Sequence, residues 1–286
     1  MIAIANRALW SDLRRIRPET LIYLSRSSAT LAALMRSKLL RWMSGGSRVV
    51  MIGLQPRGLG GRSALMARFL WPDLLLVSTE GEAQRARRLG ARADLLITGV
   101  DLDRFVPAAP GEKVALRRKW ELPADAPTVL HVGHLTSGRN VEALIPLAAL
   151  GMTVVMVASS QQDPESSDLE MRLVAAGITV LRGFLPIEEI YRLADCYVFP
   201  TLSPDYAIAL PLSVLEAMAT GLPVVATRFG ALAERFGQAE GVVLVDEPRL
   251  IADAVVSVLA GHPDTRQHAL AYSWDAVAQT VARTDR

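Results

Sequence analysis

Two short segments of the 286-residue chain bring together residue types that could hold a phosphorylated, hydroxyl-rich ligand. The first is HVGHLTSGRNVEAL (131–144), where an apolar run ends at Gly133 and a helical pattern opens near Arg139–Asn140. A strand–loop–helix turn points backbone N–H groups at a phosphate. Arg139 offers a planar fork to a diphosphate, and His134 offers a hydrogen bond. The segment has neither G-x-G-x-x-G nor G-K-[ST], so neither a nicotinamide nor a Walker-type site is indicated. An arginine solvated on a helix and a histidine satisfied within its loop remain the alternative here.

The second segment is FPTLSPDYAIALPLSVLEAMATGLPVVAT (199–227), where an apolar run ends at Pro200–Thr201 and a helix begins near Pro211. Proline suits a first turn. Glu216 is the only charge between Asp205 and Arg228. A carboxylate with apolar neighbours is costly to bury without a partner. Ribose hydroxyls, which donate hydrogen bonds, would be a suitable one. The helix start at Ala209, Leu210, Pro211 and Leu212 would offer N–H groups to an anion. Simple exposure of Glu216 on the helix surface is the alternative.

These segments need a scaffold, and the chain supplies one. Ten short apolar runs read as strands: 20–24, 48–54, 73–78, 94–99, 128–133, 153–159, 178–183, 195–201, 223–227 and 241–246. Most are continuously apolar, as in parallel strands covered on both faces. Helical patterns at 26–43, 80–89, 139–150, 165–176, 186–194, 211–220, 248–260 and 273–284 lie between or after them. The alternation implies an α/β protein with ligands at the carboxyl ends of its strands. Residues 107–128, rich in proline and charge, read as a linker. The expected domains are therefore 1–118, a smaller unit with its linker, and 119–266, a complete one, followed by a terminal helix in 267–286.

Composition narrows the function. Hydrophobic residues make up 51%, enough for a substantial core, and the single cysteine, Cys196, offers neither a disulfide nor a thiolate metal cluster. No stretch supplies the roughly 20 uninterrupted apolar residues of a membrane span, and the first residues lack a signal peptide's apolar core. The resulting expectation is a soluble cytoplasmic protein. The net charge of +2 hides a division. Residues 1–120 hold 21 Lys and Arg against 9 Asp and Glu, and residues 121–286 hold 10 against 20. A basic first part suits an anionic partner. The stretch 26–48 adds Arg26, Arg36, Lys38, Arg41 and Arg48 to Leu31, Leu34, Met35, Leu39 and Trp42. It could make peripheral contact with an anionic membrane, or be an ordinary helix with its basic face in water. Nothing indicates a nucleic-acid partner.

Residues 75–284 resemble the family 4 glycosyltransferases of the GT-B fold. The GVDLDRFVP run (99–107) is similar to the end of that family's first domain, and VGHLTSGRN stands in the place of its V-G-R-L…K-G phosphate loop. VLRGFLPIEEIYRLADCYVFPT (180–201) resembles the segment that holds the nucleotide base. PLSVLEAMATGLPVVAT resembles the donor-binding helix, and SWDAV the terminal helix. The resemblance implies two Rossmann-like parallel-sheet domains and a retaining transfer of sugar from a UDP- or GDP-linked donor. No metal or separate cofactor is implied. The acceptor is open: a lipid-linked glycan or a small molecule.

Carried over by position, Glu216 would bind the donor ribose and Arg139 the diphosphate, and these two are the catalytic candidates. Gly133 and His134 complete the phosphate loop. Phe184 and Leu185 would present backbone groups to the base, and Ala209, Leu210, Pro211 and Leu212 would meet the donor. Three departures accompany this. The family's first glutamate falls on Ile208, or on Ala209 with a shorter gap, with Asp205 the nearest acid. His134 replaces an arginine. The first domain is expected to lack its opening strand and glycine-rich loop, through truncation or a late start site. The alternative function is therefore a degenerate or truncated relative that binds a sugar nucleotide or a protein partner without catalysis. A GT-B sugar-nucleotide epimerase fits PLSVLEAMA less well.

Overall fold

The computed structural model describes residues 6–25, 29–55, 59–96, 98–159, 164–261 and 263–283. The chain divides into two compact units. One is Met1–Ile97 with Ile208–Leu210 and Gln279–Arg286, and the other is Thr98–Ala207 with Pro211–Ala278. All ten expected strands form, in two sheets in which every pairing is parallel.

The first sheet runs β1 (Thr20–Ser25), β2 (Arg48–Gly53), β3 (Leu74–Val77), β4 (Ala93–Leu95), in that order. A strand order that advances in one direction, with right-handed crossovers, places the intervening helices on a single face. Ala33 and Leu34 of the helix Leu31–Met43 join Met51, Leu75, Val77 and Ala83 in the core there. That helix starts later than the pattern 26–43 suggested. Thr30 caps it, its hydroxyl accepting the Ala33 N–H at 3.3 Å, and Arg26 lies outside the described residues. Two helices, Arg7–Ile16 and Gly61–Ala67, were not expected from the sequence.

The second sheet contains β5 (Thr128–Gly133), β6 (Thr153–Ala158), β7 (Thr179–Leu181), β8 (Cys196–Phe199), β9 (Val224–Thr227) and β10 (Val242–Val245). Its spatial order is β10-β9-β8-β5-β6-β7. From β5 the chain steps outward to β6 and β7, then returns to β8 on the other side of β5. The direction of winding reverses between β5 and β8. Such a switch point leaves a crevice at the carboxyl ends. Every residue of β8 and β9 is buried, which explains the unbroken apolar runs.

At the opposite, amino end of these strands, the helix Glu112–Lys119 occupies what the sequence suggested was bare linker. Buried Arg117 locks it in place. Its Nε donates to the Leu193 carbonyl (2.9 Å), its Nη1 to the Ala124 carbonyl (3.0 Å), and its Nη2 pairs with Asp195. Asp195 also accepts Lys113 Nζ and the Thr128 N–H, each at 2.8 Å. Burial would raise the Asp195 pKa, but these donors together hold it below the usual carboxylate range. A cleft of about 730 Å³ lies beside them, lined in part by Pro107, Lys113, Asp195, Pro223 and Asp264. It sits at the end of the sheet away from the switch-point crevice.

Removing one partner of a buried ion pair strands the other. Arg117→Ala should therefore lower unfolding free energy by about 3–5 kcal/mol, and Lys113→Ala, more exposed, by less than about 1 kcal/mol. Urea denaturation of both variants checks this, and equal losses would contradict it.

Candidate functional site

The loop leaving β5 is shaped by two residues with unusual requirements. At Gly133 an added Cβ would lie 2.4 Å from Arg139 Nη1 and 3.1 Å from His131 Nε2. Glycine is what lets the guanidinium fold back over the end of the strand. Arg139 ends a short 3-10 turn, Ser137–Arg139, and Asn140 follows with φ 53°. Asparagine tolerates this left-handed geometry better than most side chains. Its Nδ2 donates to the Pro200 carbonyl at 3.1 Å, tying the loop after β5 to the loop after β8 across the switch point.

This corrects the expected helix at 139–150. The left-handed residue interrupts it, a second 3-10 turn spans Val141–Leu144, and the α-helix is only Ile145–Ala149. Arg139 sits on a turn, not at a helix start. Its Nη2 donates to the Tyr206 carbonyl at 2.7 Å, while its buried Nε has no hydrogen-bond partner among the described residues. Burial lowers its pKa from the ordinary arginine value, which still leaves it a cation. His134 Nδ1 lies 2.9 Å from Ser159 Oγ. Partial burial and the charge of Arg139 lower the His134 pKa, so it is neutral at pH 7.

On the other side of the switch point, Glu216 rides on the helix Leu212–Ala219. Leu, Glu, Ala and Met favour that helix. Gly221, with φ 81°, closes its end as the Leu222 N–H bonds the Ala217 carbonyl and the Gly221 N–H the Met218 carbonyl. Val214, Leu215, Ala217, Met218 and Ala219 of that helix are buried, and Glu216 is half-buried. The Tyr191 hydroxyl donates to Glu216 Oε2 at 2.8 Å and also lies 3.2 Å from the Ser213 carbonyl. Burial raises the Glu216 pKa, and Tyr191 and Arg104 pull it only part of the way back. Burial and the neighbouring carboxylate push Tyr191 well above the ordinary phenol value, so it acts as a fixed donor. The sequence pointed to Glu216 but not to Tyr191, whose role depends on the contact between their two helices.

The remaining expected residues fall in different surroundings. Phe184 is fully exposed and Leu185 half-buried, in the turn after β7 opened by Gly183 (φ 102°). Ala209 and Leu210 are buried and group with the first unit. The Ala209 N–H, expected to be free for an anion, donates to the Leu54 carbonyl at 2.9 Å. Pro211 has no N–H to give. Leu212 and Ser213 head the helix, where N–H groups lack intrahelical partners. Ile208 is half-buried and Asp205 exposed. Among the described residues no group of three or more His, Cys, Asp and Glu could hold a metal ion.

His131 was not singled out by its sequence. It is fully buried in β5, with Nδ1 2.8 Å from the Val198 carbonyl and its ring stacked 6.3 Å from that of Tyr197. With Nδ1–H donating to that carbonyl, Nε2 is left as a buried acceptor, and it has no partner among the described residues.

Comparison with known proteins places this arrangement. Residues 126–261 match the family described as "Glycosyl transferases group 1". Over 238 residues the chain is 33% identical to D-inositol 3-phosphate glycosyltransferase 2 of Catenulispora acidiphila, covering 73% of this chain and 55% of the relative. These matches indicate a GT-B glycosyltransferase of the family 4 type. It spans about half the length of the curated relatives it matches. The GT-B fold also appears in sucrose-phosphate synthase from Thermosynechococcus elongatus, with TM-score 0.75, 19% identity, and coverage of 98% of this chain and 79% of that one. Anabaena HepE, solved in complex with UDP-glucose, gives TM-score 0.74 at 15% identity over 96% of this chain and 81% of that one. The second unit carries a six-stranded sheet and the first a four-stranded one.

Burial depresses the His131 pKa to about 4, and Arg139 adds to that against the pull of the Val198 carbonyl. Unfolded histidine titrates near 6.5, so between those values the unfolded chain binds the extra proton. Stability is whole above about pH 6.5 and falls as pH drops toward 4, by about 3 kcal/mol. His131→Phe should lose less stability than the unaltered chain across that window. Parallel pH-denaturation profiles would contradict this.

Proposed function

We propose that the second unit binds a nucleoside-diphosphate sugar at the β5–β8 switch point and that the chain transfers the sugar to an acceptor with retention of configuration. The observation that carries this is Glu216: a half-buried carboxylate with a raised pKa, on the helix that follows the loop leaving the carboxyl end of β8, answered by a single phenol. Ribose hydroxyls would supply the missing donors. Arg139 and the N–H groups of Leu212 and Ser213 would meet the diphosphate, and Phe184 and Leu185 the base. As the glycosidic bond breaks, negative charge grows on the leaving diphosphate, and a fixed cation with oriented dipoles lowers that barrier. The sugar nucleotide is a substrate, and the proposal invokes no separate cofactor. UDP-glucose in the similarly folded HepE supports this donor class.

The name of the inositol-phosphate relatives supports a phosphorylated polyol as one acceptor to test, and the basic first unit is consistent with an anionic one. A second reading, binding without catalysis, is favoured by Ile208 in place of an acid and by the engaged Ala209 N–H. Calorimetric titration with UDP and GDP discriminates among these. One nucleotide should bind at micromolar concentration and be lost in Glu216→Ala, and Arg139→Ala should slow sugar transfer by about 10²–10³. Binding unaffected by Glu216→Ala refutes the site. Binding without transfer or donor hydrolysis selects the second reading.

Peripheral membrane contact belongs to the same proposal, and the structure extends its basis beyond 26–48. The helix Arg7–Ile16 carries Arg7, Arg14 and Arg15 on one side and Leu9, Trp10, Leu13 and Ile16 on the other. Ile16, Trp42 and Phe69 are 62%, 72% and 81% exposed. No helix among the described residues is long and apolar enough to cross a membrane, so contact would be interfacial. The chain should sediment with phosphatidylglycerol vesicles but not with phosphatidylcholine vesicles. A Trp42→Ser/Phe69→Ser variant should lose most of that binding, and equal sedimentation with both lipids contradicts it.

A further inference from the structure

The loop after β8 does more than leave the sheet. Between Thr201 and Ala207 it makes a tight turn, with the Tyr206 N–H bonded to the Ser203 carbonyl at 3.3 Å. This presents two parts of Tyr206 to the phosphate loop. The ring lies against Gly138, where an added Cβ would fall 2.2 Å from two of its carbons. The carbonyl accepts Arg139 Nη2 at 2.7 Å. The two glycines of the GHLTSG run are thereby accounted for: Gly133 makes room for the guanidinium and Gly138 for the phenol ring. Arg139 is held between the end of β5 and a loop that, at the level of sequence, has no reason to touch it.

We propose that Tyr206 is the positioning residue of the donor site: its ring, seated on Gly138, fixes the carbonyl that orients Arg139 toward the diphosphate. The inference rests on the donor-site reading above. Its basis is geometric. An arginine has five N–H donors in a rigid fork. With Nη2 committed to the carbonyl and the plane set by Gly133, the direction of the remaining donors is set too. A free arginine would lose rotamer freedom when it bound phosphate; here that ordering is already done. The contact that holds the carbonyl in place is between a ring and a glycine, so it depends on the aromatic side chain and not on its hydroxyl.

Two measurements separate this proposal from the reading beneath it. The first needs no nucleotide: the rate at which phenylglyoxal modifies Arg139, followed by peptide mass spectrometry. Tyr206→Phe should leave the rate unchanged and Tyr206→Ala should raise it by at least about fivefold, as the arginine is released. An unchanged rate in Tyr206→Ala overturns the proposal whatever the nucleotide data show. The second is calorimetric titration with UDP, GDP and the diphosphate-free nucleosides. For whichever diphosphate binds, Tyr206→Ala should weaken affinity about tenfold, the scale of one charge-assisted contact. The matching nucleoside should bind as before. Tyr206→Ala added to Arg139→Ala should cost nothing further, because the tyrosine acts only through the arginine.

Additive losses, or equal losses for nucleoside and diphosphate, would assign Tyr206 a merely structural role and overturn the proposal. If the unaltered chain binds no diphosphate while labelling behaves as described, the donor-site reading fails. The positioning role fails with it, and the clasp on Arg139 is left standing alone.

Discussion

Everything at the candidate site depends on half-burying one carboxylate against a single hydrogen-bond donor. Glu216 sits half-buried on a helix whose Val214, Leu215, Ala217 and Met218 are buried, and a single phenol answers it. That phenol belongs to a column of buried rings: Phe105 against Tyr191 at 5.5 Å, Tyr191 against Tyr197 at 5.9 Å, and Tyr197 against His131 at 6.3 Å. The column runs beneath the switch point from the helix that answers Glu216 to the strand whose glycine seats Arg139. The carboxylate and the cation, which come from opposite sides of the β5–β8 reversal, thus rest on one packed foundation. Aromatic pairs at these spacings add about 0.5–1.5 kcal/mol each beyond their burial.

How much of this was legible in the sequence follows from the range of each interaction. The ten strands were readable because a parallel sheet buried on both faces demands continuous apolar runs, and those runs are local. The helix around Glu216 was readable for the same reason, and so was the family resemblance carried by PLSVLEAMA. Tyr191 was not, because nothing local distinguishes a core tyrosine from one that donates to a carboxylate 25 residues away. Arg117 was hidden inside a charged, proline-flanked stretch that reads as linker, since its partners lie 76 and 78 residues along the chain. The helix expected to open at Arg139 failed on one residue: Asn140 has a helix-compatible neighbourhood but a left-handed backbone, fixed by its bond to Pro200 across the sheet.

The departures from the family pattern take on physical content in the structure. Where an acid would stand, Ile208 and Ala209 are drawn toward the first unit, and the Ala209 N–H is already spent on Leu54. Where a second cation would stand, His134 is neutral and bonded to Ser159. The site keeps its cation, its carboxylate and its helix start.

The left-handed backbone of Asn140 has a consequence for which substitutions the loops after β5 and β8 can accept. A glycine takes a left-handed conformation freely, whereas an asparagine does so at a cost that its side chain must recover elsewhere. Here the recovery is the bond to Pro200, and it exists only because the loop after β8 lies close enough to accept it. The two loops are therefore coupled. A change that moved Pro200 away would be mild with glycine at position 140 and costly with asparagine there. Asn140→Gly alone would free the backbone while cutting the tie between the two loops. Tolerance of substitution in either loop is thus set by the other, though they lie 60 residues apart in sequence.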